Sequence, residues 1–233
     1  MVEELKWDSE FFKMRAGRLI VEDVKELTDQ VFEQMKQYDF ISIQNINNNQ
    51  MVNVIIAEQT NAFLADVNIQ FEKKIFYQEM EPQCHICSAA SFGEKYSDIF
   101  LLACGGFKYS KFERDEGLLL RGGDRVYEEW VKNSVDDTNK FYIYYVTTAV
   151  NGFILYRIED DCAIIEIALV DPLYQRQGII SKLIRSLEGA LYEKGIKKLI
   201  VGTQMDNIPA INVYHKLGFS ESKHVSVFHL WNK

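Results

Sequence analysis

The spacing of hydrophobic residues changes along the chain, and each change marks an element. "AGRLIVED", from residue 16, alternates as a strand does. Over "VKELTDQVFEQMKQY", Val24, Leu27, Val31 and Met35, with Phe32, recur at helical spacing, and "FISIQNI" returns to a strand pattern. "NQMVNVIIAEQ" predicts a helix, "NAFLADVNIQFEKKIF" a strand, and the stretch from Lys95 to Cys104 a further helix. Gly105-Gly106 then interrupts the pattern. It divides the chain into an expected accessory α/β unit, residues 1–104, and a second unit, residues 105–233.

Beyond that point "FKYSKFER" reads as a strand and "DRVYEEWVKNSV" as a helix carrying Val126, Tyr127, Trp130 and Val131. "FYIYYVTTAVNGFILYRIEDDCAIIEIALV" holds three strand-like runs, with turns expected at Asn151-Gly152 and at Glu159-Asp160-Asp161, which makes an antiparallel meander. From Gly178 the period lengthens. Ile180, Leu183, Ile184, Leu187 and Leu191 share one helix face, while Lys182, Arg185 and Glu188 are expected to point away. Gly195 suits a left-handed cap, and "KKLIVGTQ" resumes as a strand, which a right-handed crossover would set parallel to the strand before the helix. Pro209 fits the first turn of a short helix that Gly218 ends before the last strand, "SVFHLWN". The fold class is α/β, with an α+β mixed sheet.

Composition narrows the function. With 233 residues, 47% of them hydrophobic, the chain can bury a substantial core. A net charge of −8 argues against a nucleic-acid or anionic-membrane partner, since either needs clustered Lys and Arg. No apolar run has transmembrane length and "MVEELKWDSEFF" lacks signal-peptide character, so a cytoplasmic protein is expected. Cys84, Cys87, Cys104 and Cys162 include one Cys-x-x-Cys pair, with His85 between its members. Zinc needs four suitably spaced ligands, so reduced cysteines and no metal are expected.

The candidate chemistry lies in "LVDPLYQRQGIISKLI", residues 169–184. Amides at a helix N-terminus lack intrahelical partners, and the helix dipole adds positive potential there. If Gln175 to Gly178 wrap ahead of the helix, they could cradle a phosphate, with Arg176 adding charge and Gly178 permitting close approach. On spacing alone, an ordinary solvated strand-to-helix turn stays open, because short Gly-containing turns are common. Glu166, within the apolar "CAIIEIALV", would need a partner or a raised pKa if buried. It could be a base or half of a structural ion pair.

"VDPLYQRQGIISKLI" and "NIPAINVYHKLGF", in that order, resemble the GNAT superfamily of acyl-CoA-dependent N-acyltransferases over roughly residues 107 to 233. The resemblance implies the GNAT fold and direct acetyl transfer from acetyl-CoA to an amine. It implies that Gln175, Arg176, Gln177 and Gly178, with Ile179, Ile180 and Ser181 at the helix start, hold the coenzyme diphosphate. Main-chain groups of Leu169 and Val170 would hold the pantetheine arm. Asn207 would contact the coenzyme while capping its own helix, and Tyr214 would protonate the departing sulfur unless it merely anchors that helix. Ile180 departs from the small residue of the superfamily turn. Glu166 is then the candidate base.

A narrower resemblance extends to the N-terminus. "LKWDSEFFKMRAGRL", "YSKFERD" and "RVYEEWVKNSV" are similar to the bacterial TDP-fucosamine acetyltransferases, in which a smaller N-terminal α/β domain precedes the GNAT core. Trp7, Asp8, Phe11, Phe12, Ser110, Phe112, Asp115, Tyr127, Trp130 and Ser134 fit that pattern, while Lys13 stands where a glycine is expected. The implied acceptor is a TDP-linked 4-amino-4,6-dideoxy sugar, with the middle aromatics stacking on a base or filling the core. A homodimer is compatible with this reading. Two alternatives remain: a GNAT enzyme for another amine (protein N-terminus, polyamine or antibiotic), and a non-catalytic acyl-CoA-binding regulator.

Overall fold

The alternating segments become strands of one mixed sheet in the computed structural model, which describes residues 1–91, 93, 96–104 and 107–232. The strands are β1 (Glu3–Glu4), β2 (Ala16–Val21), β3 (Phe40–Asn45), β4 (Phe63–Lys74), β5 (Cys84–Ser88), β6 (Lys140–Val146), β7 (Val150–Glu159), β8 (Cys162–Val170), β9 (Lys198–Gln204) and β10 (Ser220–Trp231). The helices are α1 (Lys6–Phe12), α2 (Asp29–Met35), α3 (Gln50–Gln59), α4 (Tyr96–Ala103), α5 (Lys111–Arg114), α6 (Glu116–Leu119), α7 (Val126–Ser134), α8 (Ile179–Glu193) and α9 (Ile208–Lys216). Among the described residues the strand order is β1-β2-β3-β10-β4-β9-β8-β7-β6-β5. Among the described residues only β2–β3 and β8–β9 run parallel, and the second pair is the expected crossover through α8.

β4 comes from the N-terminal segment, yet it lies antiparallel between β9 and β10 of the C-terminal segment. The two segments therefore share one sheet. Gly105-Gly106, expected at their boundary, lies outside the described residues. A salt bridge adds to the junction: Lys73 of β4 meets Glu188 of α8 at 2.7 Å, and the Glu188 side chain is 0% exposed. Glu188 was expected on the solvent face, and the aminium group above it is what permits its burial.

Side chains alternate across each strand, so cluster membership assigns the helices to faces. α8 packs with Phe71, Ile165, Leu199 and Tyr214, and α2 and α3 pack with Ile41, Ile43, Phe228 and Leu230, all on one face. α4 and α7 cover Tyr142, Phe153, Leu155 and Ile167 on the other, where α1 and α6 meet Phe40 through Phe12 and Leu118.

Several local expectations change. The single helix over residues 24–38 is a 3-10 turn, Val24–Glu26, followed by α2, because Thr28 caps α2 by accepting from the Val31 amide. "FKYSKFER" is not a strand: Ser110 caps the short α5. Asn151-Gly152 lies inside β7 and does not form the hairpin turn; buried Asn151 instead accepts from the Thr147 amide and hydroxyl, bracing a turn at residues 147–149. The Cys-x-x-Cys segment is the edge strand β5, and its cysteines are free. Lys13 ends α1 in the left-handed region, at φ 53, a conformation that glycine adopts at lower cost.

Candidate active site

β8 carries the central irregularity. Leu155 pairs with Ile167 but Tyr156 with Ile165, which leaves Glu166 as the extra residue of a β-bulge. β8 pairs with β9 only over Cys162–Ile165, so the two strands part from the bulge onward. The edge of β8 that carries Leu169 and Val170 is thereby left without a β9 partner.

On the α8 face, β8 leads into the predicted turn. Asp171 accepts from the Leu173 amide across a 3-10 turn at Pro172–Tyr174, and the Gln175 side chain donates to the Val170 carbonyl at 3.3 Å. Arg176 and Gly178 both take positive φ, 63 and 77. Glycine meets that demand at Gly178, whereas Arg176 holds a conformation that its Cβ makes costly and that is common at ligand sites. The first intrahelical bond runs from the Lys182 amide to the Gly178 carbonyl. The amides of Ile179, Ile180 and Ser181 precede it and need an external acceptor. Gln175, Arg176, Gln177 and Gly178 are exposed. Leu169, Val170 and residues 175–181 thus lie along one path from the end of β8 to the start of α8.

α9 completes this side. Asn207 accepts from the Ala210 amide at 3.3 Å and donates to Thr203 at 3.0 Å, so it caps α9 against the parted end of β9. Tyr214 is buried in the cluster that also holds Ile179, its ring 5.3 Å from that of Phe71 and 5.6 Å from that of Phe219. Burial pushes its phenol well above the ordinary value, keeping the proton in place. Among the described residues no hydrogen bond engages the Tyr214 hydroxyl.

Glu166 turns to the opposite face. Its carboxylate meets Arg157 at 2.7 Å and Lys140 at 3.0 Å, with the side chain 6% exposed. Of the two roles left open by the sequence, this geometry is that of an ion pair. Lys140 also lines a cavity of about 470 Å³ on this face, within the range of small-molecule sites. Trp7 and Asp8 of α1, Phe112 of α5 and Trp130 of α7 line it too, so residues far apart in sequence share one wall.

Sequence reasoning missed Asp66. It belongs to the polar series Asp66, Asn68, Gln70 that alternates along β4, a pattern visible in the sequence but uninformative until the face is known. Burial pushes its carboxyl up to about 6, against the opposing pull of Lys111 at the cavity wall. Lys111 is itself lowered by burial, and Asp8 is raised by it. Among the described residues no cluster of His, Cys, Asp or Glu could hold a metal, and no helix is long and apolar enough to cross a membrane.

Residues 108–219 match the acetyltransferase (GNAT) family. The chain is 24% identical over 131 residues to the spore coat polysaccharide biosynthesis protein SpsD of Bacillus subtilis, covering 56% of this chain and 45% of that protein. It is 38% identical over 63 residues to the [ribosomal protein bS18]-alanine N-acetyltransferase of Escherichia coli K12, covering 27% of this chain and 42% of that protein. It therefore spans less than half the length of these curated relatives. Among solved structures, a functionally unknown conserved protein from Staphylococcus epidermidis aligns over 94% of this chain and 85% of its own, with a TM-score of 0.64 at 12% identity. A GCN5-related N-acetyltransferase from Sphaerobacter thermophilus aligns over 86% and 64%, with a TM-score of 0.59 at 11% identity. The α/β architecture is the GNAT fold.

Proposed function

We propose, from the match of residues 108–219 to the acetyltransferase (GNAT) family, that this chain is an acetyl-CoA-dependent N-acetyltransferase acting on a nucleotide-linked amino sugar of the TDP-4-amino-4,6-dideoxyhexose type. The observation that carries the reading is the parting of β8 and β9 at Glu166, with a turn of unpaired amides on one face and a cavity on the other. Coenzyme A enters from the α8 side. Its diphosphate binds the amides around Gly178 to Ser181, aided by Gln175, Arg176 and Gln177. Its pantetheine arm runs along Leu169 and Val170, filling the place that β9 vacates.

The amine arrives from the cavity. Its nitrogen attacks the thioester carbonyl, the C–S bond breaks, Tyr214 gives its proton to the sulfur, and the proton that the acylated nitrogen loses restores the phenol. A base must take the ammonium proton beforehand. Asp66 suits that task better than Glu166, because it titrates near 6 while both Glu166 oxygens face cations. Glu166 instead holds Lys140 and Arg157 at the bulge. Residues 1–104 act as the accessory unit that supplies β4 and the α1 wall.

The spore coat polysaccharide relative favours a sugar acceptor, whereas the ribosomal-protein relative favours a protein N-terminus. Acetyl-CoA turnover with a TDP-4-amino-4,6-dideoxyhexose, an alanine-initiated peptide and spermidine separates these classes. The sugar nucleotide is expected to have the highest kcat/KM; turnover of the peptide alone would shift the assignment to a protein acceptor, and no turnover with any amine would favour a regulator.

A further inference from the structure

The cavity reaches from Lys140, which meets Glu166 at the bulge, to the distant strands of the sheet. Arg18 of β2, Ser42 of β3 and His229 of β10 are direct cross-strand neighbours and form one row along its far floor. Val225 lies in register with Asn68, which faces Gln204 at the parted end of β9. His229, four residues beyond Val225 and two strands across, is roughly 16 Å from that end by strand geometry. A compact amine would not reach both ends. A sugar joined through a diphosphate to a nucleoside would.

The row is polar and incompletely satisfied. Among the described residues the Ser42 hydroxyl and the Arg18 Nε are buried without hydrogen-bond partners, although another Arg18 nitrogen meets Glu3 at 2.7 Å. His229 is 1% exposed and its orientation is fixed from three sides. Its Nδ1 lies 2.6 Å from Asp115, and Phe40 and Phe63 meet its ring edge-on. Asp115 also accepts from the Trp231 indole and from the Gly117 and Leu118 amides, so it can only accept from the imidazole. Burial holds His229 below its ordinary pKa despite Asp115. The ring is then neutral, with its proton on Nδ1, and Nε2 presents a lone pair.

From left to right the row offers a donor, a hydroxyl and an acceptor. We infer that Arg18, Ser42 and His229 recognise the imide edge of a pyrimidine base, with His229 Nε2 accepting its N3–H and Ser42 and Arg18 donating to the flanking carbonyl oxygen. The inference rests on the nucleotide-linked acceptor proposed above and makes His229 a specificity-determining residue. Uracil and thymine carry the N3–H. Cytosine presents a lone pair at N3 and sets two acceptors against each other.

Calorimetric binding of TDP, UDP, CDP and N3-methyl-TDP to the unmodified protein tests this. TDP and UDP are expected to bind with similar affinity, and CDP and N3-methyl-TDP about tenfold or more weakly, the cost of an unpaired buried acceptor. In His229→Gln, whose amide can either donate or accept, the preference for UDP over CDP is expected to collapse. Equal binding of TDP and N3-methyl-TDP overturns the inference while leaving the nucleotide-linked acceptor in place. Absence of binding by every nucleotide overturns both. A His229→Gln variant that binds TDP but keeps the full preference removes His229 from the role.

Discussion

The two sides of the parted strands contrast in how they are built. The side proposed to hold the coenzyme is almost contiguous in sequence: Leu169 through Ser181 form one path, and α9 supplies the rest. The side proposed to hold the acceptor gathers α1, β2, β3, α5, α7, β6 and β10 around one cavity. A diphosphate and a pantetheine arm are invariant demands that one loop and one strand edge can meet with backbone groups. An acceptor is recognised by side chains, which the fold can recruit from anywhere in the chain.

Substitutions on one side should spare the other. The largest effect is expected for Tyr214→Phe: a loss of about a hundred- to ten-thousand-fold in kcat, with acetyl-CoA affinity by calorimetry unchanged. Unchanged turnover would remove the phenol from the acid role. Asp66→Asn should reduce kcat/KM for the acceptor by about a hundredfold or more. Its pH profile sharpens the assignment. The Asp66 carboxyl, titrating near 6, accepts a proton only when ionised, so kcat/KM should climb as pH rises through about 6. Asp66→Asn should lose that limb, and a limb that persists would transfer the base to another group.

Smaller effects probe how the two sides are joined. Lys73→Ala leaves Glu188 buried and unpaired beneath β4, at a cost of about 3–5 kcal/mol in urea unfolding. A cost below about 1 kcal/mol would mean that the pair is not a joint between the segments. Trp7→Ala, at the cavity wall, should raise the acceptor KM several-fold while leaving the acetyl-CoA KM alone. Lys13→Gly relieves a left-handed residue and should stabilise the fold by about 1 kcal/mol, read as a higher urea midpoint.

The same contrast governed what could be read from the sequence. The period of α8, the Gly178 turn and the Pro209 start of α9 are local signals, and each was legible. The β8–β9 crossover followed from the strand, helix, strand order. Insertion of β4 between β9 and β10 was not legible, because antiparallel pairing across such separations leaves no periodic trace. Glu188 read as solvent-facing for the same reason: its partner, Lys73, is distant in sequence. Glu166 was singled out by its apolar neighbours, but whether it served as base or ion pair depended on Lys140 and Arg157. Asp66 drew no notice because an alternating polar residue is ordinary in a strand with one wet face.

The central claim is tested most directly by a crystal structure with coenzyme A bound. Its diphosphate is expected on the amides between Gly178 and Ser181, its pantetheine arm against Leu169 and Val170, and its sulfur within hydrogen-bond reach of the Tyr214 hydroxyl. A coenzyme seated elsewhere, with the gap beyond Glu166 unfilled, would contradict it.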